Sequence, residues 1–221
     1  MCFCLCVHNT VVSYGIGNFI TSSLSSTSSF SAPMWQLAGA LLIRDVLEQQ
    51  WNVVRNEQDN ANIDVYYYDP CMTEDEGKVL KIVRIATIAN NERGRRVVNE
   101  STFFYMPHCP MNLYTNVLSS NWDHLVDRVA IFGNNLSSYA NRLVEKPSSG
   151  VALLNILLPY IQQHAVAMAK SDISDMPGYF ENAFNDSCIT FFHTKSDIDE
   201  FPDRPSVEED DEEDNANQEL L

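Results

Sequence analysis

The sequence predicts an α/β domain in three layers around a mostly parallel sheet, and three observations predict it. Short runs rich in Val, Ile, Phe and Tyr alternate along the chain with longer segments of helical period. Several of these runs are apolar at every position, as strands covered on both faces must be. Each run then stops at a polar or glycine-rich cluster: Gly15-Ile16-Gly17-Asn18, Asp69-Pro70, Asn90-Asn91-Glu92, His108-Cys109-Pro110 and Asn134-Asn135-Leu136-Ser137-Ser138. Ligands of parallel sheets bind beyond the carboxyl ends of the strands, which is where these clusters fall.

The first strand is Val11-Val12-Ser13-Tyr14, and it breaks into a Gly-x-Gly turn that brings backbone N–H groups toward an anion. Cys2-Phe3-Cys4-Leu5-Cys6-Val7 reads as a further buried strand, with lipidation or metal binding by the three thiols as the lesser readings. Residues 20–32 form a Ser/Thr loop, whose functional alternatives to filler are a ligand-covering lid or a phosphorylation site. Ser31 offers an N-cap and Pro33 suits a first turn, opening a helix over 34–51 with Leu37, Leu41, Val46 and Leu47 inward.

Strand two is expected over 63–68, a helix over 74–84 and a short third strand over 85–89. Gly94 closes a turn before Arg95-Arg96, which should start or line a short helix. Thr102-Phe103-Phe104-Tyr105-Met106 is a strong strand stopped by Pro107 and Pro110; a helix over 111–119 and a strand over 129–133 follow. A long helix over 150–170, kinked at Pro159, precedes the last strand at 188–193. His124 and His164 fall in helical contexts and His8 near the N-terminus.

Charge divides the chain into a domain over 1–194 and an acidic tail over 195–221. Residues 196–221 hold 12 of the 30 acidic residues against one base, Arg204. Such a tail cannot pack, so it is expected to be disordered and to add nothing to stability. With a net charge of −16 the chain has no basic footprint, which argues against direct nucleic-acid binding. The longest strongly apolar window, residues 151–160, is too short for a bilayer, and no secretory signal is evident. Scattered cysteines then point to reduced thiols and a cytoplasmic or nuclear location. Gly-x-Ser-x-Gly, Walker, Cys-x-x-Cys and His-Glu-x-x-His patterns are absent, which argues against hydrolase, P-loop and zinc-finger chemistry.

Six blocks occur in one order: Tyr14-Gly15-Ile16-Gly17-Asn18-Phe19, Trp35-Gln36-Leu37-Ala38, Tyr68-Asp69-Pro70, Asn91-Glu92-Arg93-Gly94, Phe104-Tyr105-Met106-Pro107-His108-Cys109-Pro110 and Ile131-Phe132-Gly133-Asn134-Asn135-Leu136-Ser137-Ser138-Tyr139. The ordered set resembles the sensitivity-to-red-light-reduced (SRR-like) domain family over about residues 11–142, most specifically at Met-Pro-His-Cys-Pro. The Ser/Thr loop is longer than the matching loop of relatives. The resemblance implies an intracellular eukaryotic regulator associated with circadian-clock input and, in animal members, with haem biosynthesis. It supplies no reaction and no catalytic residues.

The candidate pocket is therefore drawn from the strand ends: Tyr14, Gly15, Gly17, Asn18, Asp69, Asn91, Glu92, His108, Asn134 and Ser137. Asp69 occupies the place of the ribose-binding acid of dinucleotide sheets, but it lies 52 residues beyond Gly17 and Ile20 replaces the third glycine. A nicotinamide cofactor is thus disfavoured, while a nucleotide-like or S-adenosylmethionine-like ligand stays open beside a plain turn or cap. His108 and Cys109 are adjacent and should point apart, so they form no nucleophile–base pair. His108 suits proton transfer or hydrogen bonding in a pocket, or a structural role. Cys109-Pro110 is a dipeptide seen at haem thiolates; the competing reading is a buried thiol. Asn134 to Ser138 could cradle a phosphate or carboxylate or simply cap the next segment, and Glu92 could pair with Arg93, Arg95 or Arg96.

Two functional classes follow: a clock-input regulator that binds a ligand or protein partner, with its partners unidentified, and a transferase-like enzyme using the strand-end pocket. No metal and no membrane association are expected, and haem or a nucleotide-like cofactor stays open.

Overall fold

The computed structural model describes residues 8–20, 32–55, 62–140, 149–166, 179–194 and 201–205. In chain order its elements are β1 (Thr10–Tyr14), α1 (Ala32–Arg55), β2 (Asp64–Tyr68), α2 (Glu74–Ile82), β3 (Ala86–Thr87), β4 (Thr102–Met106) and α3 (Met111–Ser120). There follow α4 (Leu125–Arg128), β5 (Val129–Asn134), α5 (Leu136–Ala140), α6 (Ser149–Leu157), β6 (Ile161–Ala165), α7 (Tyr179–Phe184) and β7 (Ser187–Phe192). The cysteine triplet, the Ser/Thr tract with Ser31, and the acidic run from Glu208 to Asp214 lie outside the described residues.

The sheet runs β3-β2-β1-β4-β5-β7-β6, and within it only β7 opposes the rest. Tyr14 is in register with Tyr68, Ser13 with Tyr105, and Tyr105 with Phe132, so β2, β1, β4 and β5 end together. Chain order reverses between β1 and β4, making the gap beyond Tyr14 and Met106 the switch point. Residues of β1 and β4 are buried at every position because helices cover both faces. On one face Val12, Phe104, Met106 and Ile131 pack with Tyr114, Leu118, Leu154 and Leu157 of α3 and α6. On the other, Val11, Tyr67, Phe103 and Phe132 pack with Ala40, Leu47, Leu80 and Phe184 of α1, α2 and α7. This is the expected three-layer, Rossmann-like α/β fold with a mostly parallel sheet.

Several local expectations are corrected. Residues 161–166 are not helical: α6 stops at Leu157, and residues 161–165 form β6, which puts His164 on an edge strand; the rest of the expected helix, 167–170, lies outside the described residues. Pro159 lacks an N–H and cannot continue the ladder, after which the free edge of β7 captures the chain. Arg95 and Arg96 start no helix, because Arg93 and Gly94 take left-handed conformations (φ 50° and 73°). On α1 the inner face is Gln36, Ala40, Arg44 and Leu47, and Val46 is exposed. The two polar residues are tolerated there because Gln36 Nε2 donates to Ala183 O and Arg44 Nη1 to Val83 O.

Residues 201–205, the described part of the tail, also differ from expectation. Phe201 packs against Trp122 and Tyr160, and Trp122 Nε1 donates to Pro202 O at 2.7 Å. An aromatic ring and a neighbouring carbonyl are enough to seat this short segment despite the surrounding negative charge.

The first loop is anchored by one side chain. Glu76 completes a capping box with Thr73, accepting from Thr73 N at 2.8 Å through Oε2. Its Oε1 accepts from Phe19 N at 2.6 Å and Ile20 N at 3.1 Å, tying the loop after β1 to α2. Burial alone would push this carboxyl up, but the hydrogen bonds from Thr73, Ile20 and Phe19 outweigh it and hold it below the ordinary 4.5. Its stabilisation is therefore present above pH 4.5 and is lost as pH falls through the lowered folded value. Glu76→Gln should lose about 2 kcal/mol at neutral pH. Urea unfolding across pH should show the wild-type advantage shrinking only below pH 4.5.

Candidate functional site

Tyr14 passes into a turn with Gly15 at φ 67° and Gly17 at φ 81°. Glycine is required at Gly15 on a second count, since a Cβ there would lie 2.8 Å from Cys109 Sγ. Gly15 N donates to Tyr68 O at 3.2 Å and Gly17 N to Asp69 Oδ2 at 2.7 Å. Asp69 Oδ1 accepts from Cys71 N at 2.8 Å, closing an Asx turn. The N–H groups expected to meet an anion thus bond within the fold, and buried Asp69 links the ends of β1 and β2.

Below this turn, Tyr14 Oη donates to Glu92 Oε2 at 3.0 Å. Arg96 grips the same carboxylate through two nitrogens, at 2.9 and 2.8 Å, and lies 5.0 Å over the Tyr66 ring. Of the three bases expected to serve Glu92, Arg96 forms this fork, which is half-buried rather than solvated. Burial, then the Glu92 charge, pushes the Tyr14 phenol up, so it acts as a neutral donor. Asn91 is exposed and its Oδ1 accepts from Arg93 N, supporting the left-handed turn there.

Beyond β4, the Pro107-His108-Cys109-Pro110 turn is clamped by Asn134. Asn134 Oδ1 accepts from His108 N at 3.0 Å, and Nδ2 donates to Cys109 O at 3.2 Å and Tyr139 Oη at 2.7 Å. Tyr114 Oη donates to Met106 O and accepts from Asn134 N. Gly133 leaves the room for this: a Cβ there would collide with the Tyr114 ring and Met106 O.

His108 and Cys109 do point apart. The Cys109 thiol is buried and donates to Tyr14 O at 3.4 Å, and burial pushes it up to about 12. A protonated thiol sealed between two strand ends does not fit haem ligation, which needs an accessible thiolate. His108 is exposed and holds φ 55°, a left-handed conformation uncommon for a non-glycine residue. Its Nε2 lies 3.1 Å from Ala183 O, which places the ring proton on Nε2. Among the described residues, no three His, Cys, Asp or Glu side chains could together hold a metal ion.

Tyr14, Gly15, Gly17, Asp69, His108, Cys109 and Asn134 therefore belong to one hydrogen-bonded group at the switch point, with Glu92 attached through Tyr14. Ser137 lies apart, its N and Oγ both donating to Gln163 Oε1, and Asn18 is exposed on the loop. Sequence reading missed Glu76, Tyr114, Tyr139 and Gln36. Only Glu76 left a readable signal, the Thr-x-x-Glu spacing of a capping box.

A family model, the SRR1 domain, matches residues 7–191. The chain is 29% identical over 189 residues to Protein SENSITIVITY TO RED LIGHT REDUCED 1 of Arabidopsis thaliana, covering 85% of this chain and 60% of that protein. It is 39% identical over 83 residues to an SRR1-like protein of Mus musculus, covering 37% and 33% of the two chains. A Drosophila melanogaster SRR1-like protein is 30% identical over 56 residues, 25% of this chain and 20% of that one. The chain thus spans less than two thirds of the length of these curated relatives. No solved structure matches it at a significant level.

Two outcomes test this geometry. Asn134→Ala should destabilise by about 2 kcal/mol in urea unfolding, because it leaves His108 N without its acceptor and Cys109 O with Tyr139 Oη as its remaining donor. Iodoacetamide should label exposed Cys71 on the native protein and reach Cys109 only after unfolding.

Proposed function

The chain belongs to the SRR1 domain family, and on that premise we propose that it is a regulatory protein whose strand-end loops bind a ligand or protein partner. The process is clock input, as the family resemblance implies; the plant relative's name speaks of sensitivity to red light. By the same kinship it regulates haem biosynthesis, without holding haem at Cys109. It works in the cytoplasm and nucleus, through protein partners rather than nucleic acid. The acidic balance of the chain supports the last point.

The observation that carries the reading is His108. It sits at the switch point with its backbone in a left-handed conformation and its ring exposed, held from below by Asn134 and from the side by Ala183. Residues held in sparsely populated backbone conformations cluster at recognition sites, and here the conformation is combined with an exposed ring at the switch point. The transferase-like reading has weaker support, since Gly17 N and Asp69, the groups that would meet a ribose or phosphate, bond each other.

His108→Asn is the test, because asparagine tolerates the left-handed conformation. The variant should unfold within about 1 kcal/mol of wild type, a melting shift of roughly 2–4 °C at most. It should fail to restore clock period in cells lacking their own family member. A larger loss of stability with parallel loss of function would make His108 a structural plug and overturn the reading. Thermal shifts with ATP, S-adenosylmethionine and haemin separate the classes: stabilisation by ATP or S-adenosylmethionine that His108→Asn abolishes would favour the enzyme.

A further inference from the structure

At the opposite ends of the strands lies an aromatic notch that the candidate site does not use. Trp122 opens a single 3-10 turn (Trp122–His124) ahead of α4, and Tyr160 closes another (Leu158–Tyr160) ahead of β6. Tyr160 O accepts from His193 N, just past the end of β7, which fixes the notch at the amino ends of β5 and β6.

Phe201 sits between the two rings, its centroid 5.7 Å from Trp122 and 5.2 Å from Tyr160, with interplanar angles of 63° and 61°. These are edge-to-face contacts of the kind that aromatic rings favour. Trp122 is only 3% exposed with the segment in place, and its indole N–H donates to Pro202 O. A buried indole needs such an acceptor, because an unpaired N–H in that setting costs stability.

Residues 201–205 form no helix or strand. Among the described residues, two ring contacts and a hydrogen bond to a backbone carbonyl hold them, as they would a bound peptide. Proline at 202 keeps Phe201 extended and brings no N–H to satisfy, so the dipeptide presents a ring and a carbonyl from a stiff backbone. Aromatic grooves that recognise proline-containing peptides exploit the same low-entropy geometry.

We propose that Trp122 and Tyr160 form a binding site for an extended aromatic–proline peptide segment, and that its ligand in this chain is its own Phe201-Pro202. A segment of the same chemistry on a partner protein competes for the notch. The site shares no residue with the strand-end group and does not depend on the functional reading above.

The test follows the Trp122 indole N–H by nitrogen–proton NMR on the full chain, assigned through Trp122→Phe. Phe201→Ala should move that signal and speed its exchange with solvent. Adding a synthetic peptide of residues 200–206, Glu-Phe-Pro-Asp-Arg-Pro-Ser, should return it saturably toward the wild-type position, and the same peptide with Ala for Phe should not. If Phe201→Ala does not fold, Phe201→Leu keeps an apolar side chain and takes the same titration. An indole signal unmoved by either substitution, or one that the peptide fails to restore, overturns the proposal. A wild-type dimer in sedimentation that Phe201→Ala converts to monomer would assign the ligand to a second copy and overturn the cis arrangement.

Discussion

Backbone N–H groups just past the ends of buried parallel strands have no ladder to join, so side chains must supply their acceptors. Much of the order at the carboxyl edge of this sheet depends on that constraint. Asp69 receives Gly17 N, Glu76 receives Phe19 N and Ile20 N, and Asn134 receives His108 N. Each acceptor stands at the end of a neighbouring strand or in a neighbouring helix, so satisfying one loop also locks it to the next. The glycine turn, the Asp69 turn and the His108 turn become one frame.

That frame separates two kinds of group. Cys109 and Tyr14 lie inside it, where low polarity favours the neutral thiol and phenol, and their polar atoms serve the fold. His108 lies on its outer surface, its ring proton directed to a helix carbonyl rather than to solvent. The left-handed backbone that puts the ring there persists because Asn134 fixes the amide beneath it. The amino edge is built differently, with packed rings and one indole bond seating a segment that forms no regular element.

Legibility varied with how local the determinant was. The run 102–106 is apolar at both parities and stopped by Pro107, and its limits agree with β4 to the residue. Residues 161–165 are ambiguous by themselves; they become a strand only because β7 offers an open edge. Val46 looked inward because apolar residues are expected there. The real inner face includes Arg44, whose acceptor, Val83 O, lies 39 residues away. The acidic surroundings of Phe201 likewise concealed a contact that needs Trp122 and Tyr160, 79 and 41 residues upstream.

The same division holds for the candidate site. From its alternation of apolar runs, helical segments and polar strand ends, the sequence by itself determined the α/β class, the parallel core and the place where polar loops gather. It also determined the family, because six motifs recur in one order. The tertiary structure alone decided what those loop residues do: that Asp69 meets Gly17 rather than an open anion site, that Arg96 is the base forked onto Glu92, and that Cys109 is sealed while His108 is exposed. The reason is physical. Periodicity and turn chemistry act within a few residues and can be read along the chain, whereas each of these outcomes is a contact between strands or helices far apart in sequence, settled only when the sheet brings their ends together.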